Sequence, residues 1–105
     1  MNRIDEIYNN VEVSEKSIER YLVTRVKVSG GRALKYYNAV ATGYPDRLVI
    51  LPQHEAFWVE LKSKGKHLRP IQRLRFDELK ALGQRVYVCD SLQSVDDVIA
   101  KETNK

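Results

Sequence analysis

Apolar residues recur at intervals of four from Ile18 through Leu22 to Val26, a helical period that puts all three on one stripe. Ser14 stands where an N-cap belongs and Gly30-Gly31 stops the pattern, so a first helix is predicted between them. Ala33 to Tyr37 then reads as a first strand, followed by a loop that closes at Gly43-Tyr44-Pro45. Two apolar, β-branched runs come next, Arg47 to Leu51 and Phe57 to Lys62. The short connection Pro52-Gln53-His54-Glu55 between them suits a hairpin. Ser63 to His67, polar and containing Gly65, predicts a loop. Pro70 occupies a favoured first helical position, and the helical pattern runs from there to Leu82 before Gly83. Arg85 to Cys89 is a compact strand. Ser94 is expected to cap a last short helix through Ala100, within a span of 94–102, and the ending Lys101-Glu102-Thr103-Asn104-Lys105 to fray.

The resulting order is α-β-β-β-α-β-α. A hairpin followed by a strand–helix–strand crossover implies an α/β fold, a mixed sheet flanked by helices. A chain of 105 residues is expected to form one domain over 1–105, with a core from about 14 to 91 and an acidic, loosely ordered first dozen residues. At 43% hydrophobic and 30% charged residues, neither disorder nor a fibre is suggested. The single cysteine, Cys89, excludes an intramolecular disulfide and reads as core. No run approaches the roughly 18 apolar residues of a membrane span, and MNRIDEIYNN lacks the apolar core of a signal peptide. The expectation is a cytoplasmic protein with no membrane partner.

The net charge of +4 conceals a segregation. Residues 1 to 20 carry −2, residues 60 to 85 carry +5, and the last twenty return to −2. A basic middle between acidic ends permits a polyanionic partner, although a charge run by itself is ordinarily a solvated face.

The strands hold polar residues that their pattern does not call for. Glu60-Leu61-Lys62 extends Phe57-Trp58-Val59, so Glu60 and Lys62 share one face while Val59 and Leu61 pack on the other. Asp46 opens the preceding strand, directly after Pro45, and in a hairpin that position lies beside Glu60. On the first helix, Glu15 and Glu19 fall on the stripe of Ile18, Leu22 and Val26, so one of them is expected to reach Asp46 and Glu60. An isolated Glu-x-Lys is ordinarily a salt bridge at a strand end. Three carboxylates within about 5 Å are different, because each pair repels by roughly 3 kcal/mol at an effective dielectric near 20. Such a cluster calls for a cation, and oxygen ligation without sulfur suits Mg²⁺ or Mn²⁺. Lys62 would sit beside it, where it can orient or help deprotonate a water. Hard cations with a neighbouring lysine suit hydrolysis of a phosphodiester. Gln72 shares a face with Phe76 and Leu79 and points inward, where its amide needs partners, Lys62 or a metal-bound water among them. Trp58 and the pair Tyr36-Tyr37 read as packing residues.

Glu15, Gly43-x-Pro45-Asp46, Glu60-Leu61-Lys62 and Gln72, followed by Leu79 and Gly83, resemble the VRR-Nuc (virus-type replication-repair nuclease) domain, a branch of the PD-(D/E)xK nuclease superfamily. The similarity covers roughly Ser14 to Ser91, and the chain departs from it at Tyr44, where the family more often has Val. The resemblance implies a restriction-endonuclease-like fold. It implies that Asp46 and Glu60 bind the divalent metal with the backbone carbonyl of Leu61, and that Lys62 positions the attacking water. It assigns the helical acid to Glu15, with Glu19 in the second place of an E-x-x-x-Q/E-like pattern; alignment with archaeal Holliday-junction resolvases favours Glu19 instead, and both stay open. Gln72 resembles the glutamine of the helix that follows the active-site strands.

With that strand as the reference point, Lys64, Lys66, His67, Arg69, Arg73 and Arg75 lie near the scissile phosphate and are expected to contact the DNA backbone without reading bases. The implied activity is a metal-dependent DNA endonuclease on branched substrates such as Holliday junctions or flaps, working as a homodimer in a phage or prophage setting and hence in the host cytoplasm. The alternatives are a non-catalytic DNA-binding module that keeps a relic nuclease fold, and an accessory subunit of a replication protein.

Overall fold

The computed structural model describes residues 13–104. The expectation of a loosely ordered first dozen falls outside them. Helix α1 (Glu15–Val28) starts at Ser14, whose hydroxyl accepts the Ser17 N–H at 3.1 Å, and buries Ile18, Leu22 and Val26. Arg25 and Lys27 in its last turn suit the negative end of the helix dipole, and Gly30 takes the left-handed conformation (φ 87°) that turns the chain away.

Strands β1 (Arg32–Lys35), β2 (Arg47–Ile50), β3 (Phe57–Leu61) and β4 (Val86–Cys89) form one sheet in the order β1-β2-β3-β4. The first two pairings are antiparallel and β3–β4 is parallel, so the sheet is mixed, as the hairpin-and-crossover order requires. Helix α2 (Pro70–Ala81) makes the crossover from β3 to β4, and α3 (Leu92–Thr103) follows β4. Val49, Phe57, Val59, Leu61 and Cys89 pack against Ile18, Leu22 and Val26 of α1 and Val95, Val98 and Ile99 of α3. Phe76 and Leu79 of α2 are buried outside that cluster. The alternate residues of β3, Trp58 and Glu60, face the α2 side. Among the described residues, no helix is long and apolar enough to cross a membrane.

Three expectations are corrected. Ser91, and not Ser94, caps the last helix: each serine hydroxyl accepts the other's backbone N–H at 3.0 Å, a reciprocal box that starts α3 at Leu92. The C-terminal residues do not fray at Lys101, because α3 runs to Thr103 with Glu102 buried against the sheet. Tyr37 is not a packing residue but is 84% exposed. It lies just past the end of β1, an edge strand with one neighbour, where aromatic residues no longer report burial.

Candidate active site

The register Arg47↔Val59 continues by one pair to bring Asp46 opposite Glu60. On the other side Tyr36 N–H donates to the Asp46 carbonyl at 2.9 Å, so Asp46 is held in a row between β1 and β3. The turn before it rests on α2. Gly43 has φ 93°, and a Cβ there would lie 2.8 Å from Ile71 Cγ1 and 2.9 Å from the Ile71 carbonyl oxygen. Only glycine lets the chain pass so close. Arg75 fastens the same turn: its Nε donates to the Thr42 carbonyl at 2.9 Å, and its guanidinium lies 4.9 Å from the centre of the Tyr44 ring.

Asp46 Oδ2 accepts the Leu61 N–H at 3.0 Å, which fixes this carboxylate against β3. Glu60 is 2% exposed. Its Oε2 accepts from Gln72 Nε2 at 2.9 Å and lies 3.4 Å from Lys62 Nζ. Its Oε1 is buried and has no hydrogen-bond partner among the described residues. Burial first, and then the Asp46 charge, push the Glu60 carboxyl up to about 7, against the pull of Lys62. Gln72 is oriented without ambiguity. Its Oε1 accepts the Arg69 N–H at 2.8 Å, which turns its NH₂ toward Glu60. The amide expected to need a partner therefore finds Glu60, not Lys62.

Beside this group Tyr36 stands edge-on to Trp58 (5.1 Å between ring centres) and to Tyr44 (5.7 Å), so Tyr36 and Trp58 do pack. Cys89 is core, and burial raises its thiol to about 12.

Asp46, Glu60, Lys62 and Gln72 thus come together. The third carboxylate does not, which corrects the expected convergence: among the described residues no three acidic, histidine or cysteine side chains are grouped to hold a metal. Glu15 is exposed at the start of α1. Glu19 is taken by Lys35 Nζ and Arg47 Nε, each at 2.9 Å from its Oε2. Burial pushes its carboxyl up, but these two cations outweigh it and hold Glu19 below the usual carboxylate range. Lys35 and Arg47 are direct cross-strand partners, and two like charges so placed need a counter-charge. The signal for this pairing was in the sequence only once the β1–β2 register was known.

Lys64, Lys66, His67, Arg69 and Arg73 are exposed on the segment that leads from the site into α2. Arg75 is not among the exposed ones. It is half-buried, bonded to Thr42 and 3.2 Å from Glu78, and supports the Asp46 turn.

Among known proteins, the VRR-NUC domain family matches residues 5–93. A phage protein described as "Putative nuclease p44", from Acyrthosiphon pisum secondary endosymbiont phage 1, is 42% identical over 79 residues, covering 75% of this chain and 85% of its own length. A solved structure described as "VRR_NUC domain" superposes with a TM-score of 0.77 at 28% identity, over 83% of this chain and 96% of that one. A second, described as "VRR_NUC domain protein", gives 0.74 at 18% identity over 90% and 91%, a likeness of fold.

Proposed function

Because this chain belongs to the VRR-NUC domain family, we propose that it is a divalent-metal-dependent endonuclease that hydrolyses phosphodiester bonds in DNA and prefers branched structures. The observation that carries the metal dependence is the buried Glu60 carboxylate opposite Asp46, raised to about 7 and left with an unbonded oxygen. That arrangement is unfavourable alone and becomes favourable beside a cation. The donor atoms fit a hard ion: Asp46, Glu60 and the Leu61 carbonyl would hold Mg²⁺ or Mn²⁺, with waters and substrate phosphate completing a shell that such ions fill with few protein ligands. Bound there, the ion would polarise the phosphate and acidify a water.

The chain's own residues do the rest. Gln72 fixes the Glu60 carboxylate, and Lys62 orients the attacking water and offsets charge on the phosphate. Lys64, Lys66, His67, Arg69 and Arg73 grip the backbone. A two-fold dimer would present two such sites to one branched substrate.

Purified protein incubated with four-way, flap and linear DNA is expected to cut branched DNA in Mg²⁺ or Mn²⁺ and nothing in EDTA. Cleavage that continues undiminished in EDTA would sink the metal dependence, and equal rates on linear and branched DNA would sink the selectivity. Replacing Lys64, Lys66 and Arg73 together by alanine is expected to flatten the slope of log affinity against log salt by roughly three, about 0.9 for each phosphate that is no longer neutralised. An unchanged slope in a salt titration would show that these residues do not touch the backbone.

A further inference from the structure

A second cationic surface lies on the other side of the sheet. Lys16, Arg20, Thr24 and Lys27 follow one another along α1 at intervals of four, four and three, one exposed stripe. Between this stripe and β1 run two adjoining cavities of about 370 Å³ and 240 Å³, with Val23 in the wall of both. Lys16, Arg20 and Arg47 line the first, and Lys27 and Arg32 the second. Glu19 is the acidic residue in the lining, and it is already bonded to Lys35 and Arg47. Among the described residues, Lys16, Arg20, Lys27 and Arg32 have no carboxylate partner.

Lys16, Arg20 and Lys27 along one groove repel one another, and a polyanion that neutralises them releases its own counterions in return. Arg32, next to the core-facing Ala33 in β1, turns to the opposite face of the strand. The groove opens at Arg47, the neighbour of Asp46 in the chain, yet it belongs to the α1 face, whereas Arg69 and Arg73 belong to α2, which meets Glu60 on the other face, and Lys64 and Lys66 to the loop that leads into it. Two cationic tracks on opposite faces of one sheet therefore approach the Asp46–Glu60 pair. A straight duplex follows one of them; two segments diverging from a branch point follow both. We propose that the groove between α1 and β1 holds the phosphate backbone of a second segment of branched DNA. This deepens the nuclease reading and rests on it for the substrate.

The test measures binding of a four-way junction and of a linear duplex by fluorescence anisotropy in EDTA across a salt series. The double variants Lys16→Ala/Arg20→Ala and Arg20→Ala/Lys27→Ala are compared with Lys80→Ala/Lys101→Ala, which removes the same charge from exposed positions elsewhere. Each groove pair is expected to weaken junction binding about tenfold more than the control pair and to flatten the salt slope by about two, with the duplex losing no more than about threefold. Junction binding equal to that of the control pair, or equal losses on junction and duplex, would overturn the inference. The nuclease reading is decided separately, by wild-type cleavage in Mg²⁺ or Mn²⁺. Cleavage with groove variants that behave like the control removes the groove alone; groove-dependent junction binding with no cleavage removes the nuclease alone.

Discussion

Glu60→Gln is expected to abolish cleavage, by about 10³-fold or more, while making the metal-free protein more stable at pH 8. The two effects have one cause. In the folded, metal-free chain Glu60 holds its proton up to about pH 7, against an ordinary value of 4.5. Below pH 4.5 the group is protonated whether the chain is folded or not, and it contributes no penalty. Between 4.5 and 7 the unfolded chain gives up the proton and the folded chain keeps it, so stability falls as pH rises; above 7 the full penalty, about 3 kcal/mol, is present. Glutamine removes it. Its oxygen can accept from Gln72 and its NH₂ can donate to Asp46, so no buried group is orphaned. Discounting for relaxation to about 2 kcal/mol, the melting temperature at pH 8 should rise by roughly 10 °C and the gain should vanish near pH 4.5. Mg²⁺ should then stabilise the wild type and not the variant. Equal melting curves at pH 8, or cleavage within tenfold of wild type, would contradict the assignment.

Much of this site was legible in the sequence because strands alternate. Once Phe57 to Lys62 is a strand in a hairpin with Arg47 to Leu51, Glu60 and Lys62 must share a face, and Asp46 must lie near Glu60. Helical periodicity likewise turned Gln72 inward with Phe76 and Leu79. The α1 glutamates were not legible in the same way. A period places Glu19 on a face but does not say which strand residues that face meets; Lys35 and Arg47, brought together by the register, capture it. The cationic groove escaped for a related reason. Its residues come from α1, β1 and β2, and the acidic N-terminal balance hid Lys16 and Arg20. Ser94 misled because two serines three apart are equally good caps, and only the start at Leu92 separates them.

Glu102→Ala is expected to cost about 3 kcal/mol of folding stability and to leave the rate of cleavage per folded molecule unchanged. Glu102 is as deeply buried as Glu60, at 1% exposed, but both of its oxygens are bonded, whereas Glu60 Oε1 has no partner among the described residues. Arg85 Nε donates to both of its oxygens, at 3.0 and 2.7 Å, and the Tyr87 hydroxyl donates to Oε2. Burial and then this bond raise the Tyr87 phenol to about 12. Arg85 also reaches Glu55 Oε2 at 2.9 Å and the Glu55 carbonyl at 3.0 Å, so one guanidinium ties the end of α3 to β4 and to the β2–β3 connection. Removing one partner of a buried ion pair typically costs about 3–5 kcal/mol, and the low end applies here because Arg85 keeps Glu55 and some contact with water. At about 4 °C or more per kcal/mol, the melting temperature should fall by roughly 12 °C or more. Arg85 bonds at the Trp58 end of β3, while Glu60 and Leu61 lie at the other, so the loss should not reach the carboxylate pair. Thermal unfolding and single-turnover cleavage below the transition check both halves. A loss under about 1 kcal/mol, or a tenfold slower reaction at equal folded fraction, would show that the two buried acids are not independent. Removing charge from one should stabilise the fold and from the other destabilise it, because Glu102 is fully bonded by Arg85 and Tyr87, whereas Glu60 faces Asp46 and Lys62 beside it does not outweigh that charge and the burial.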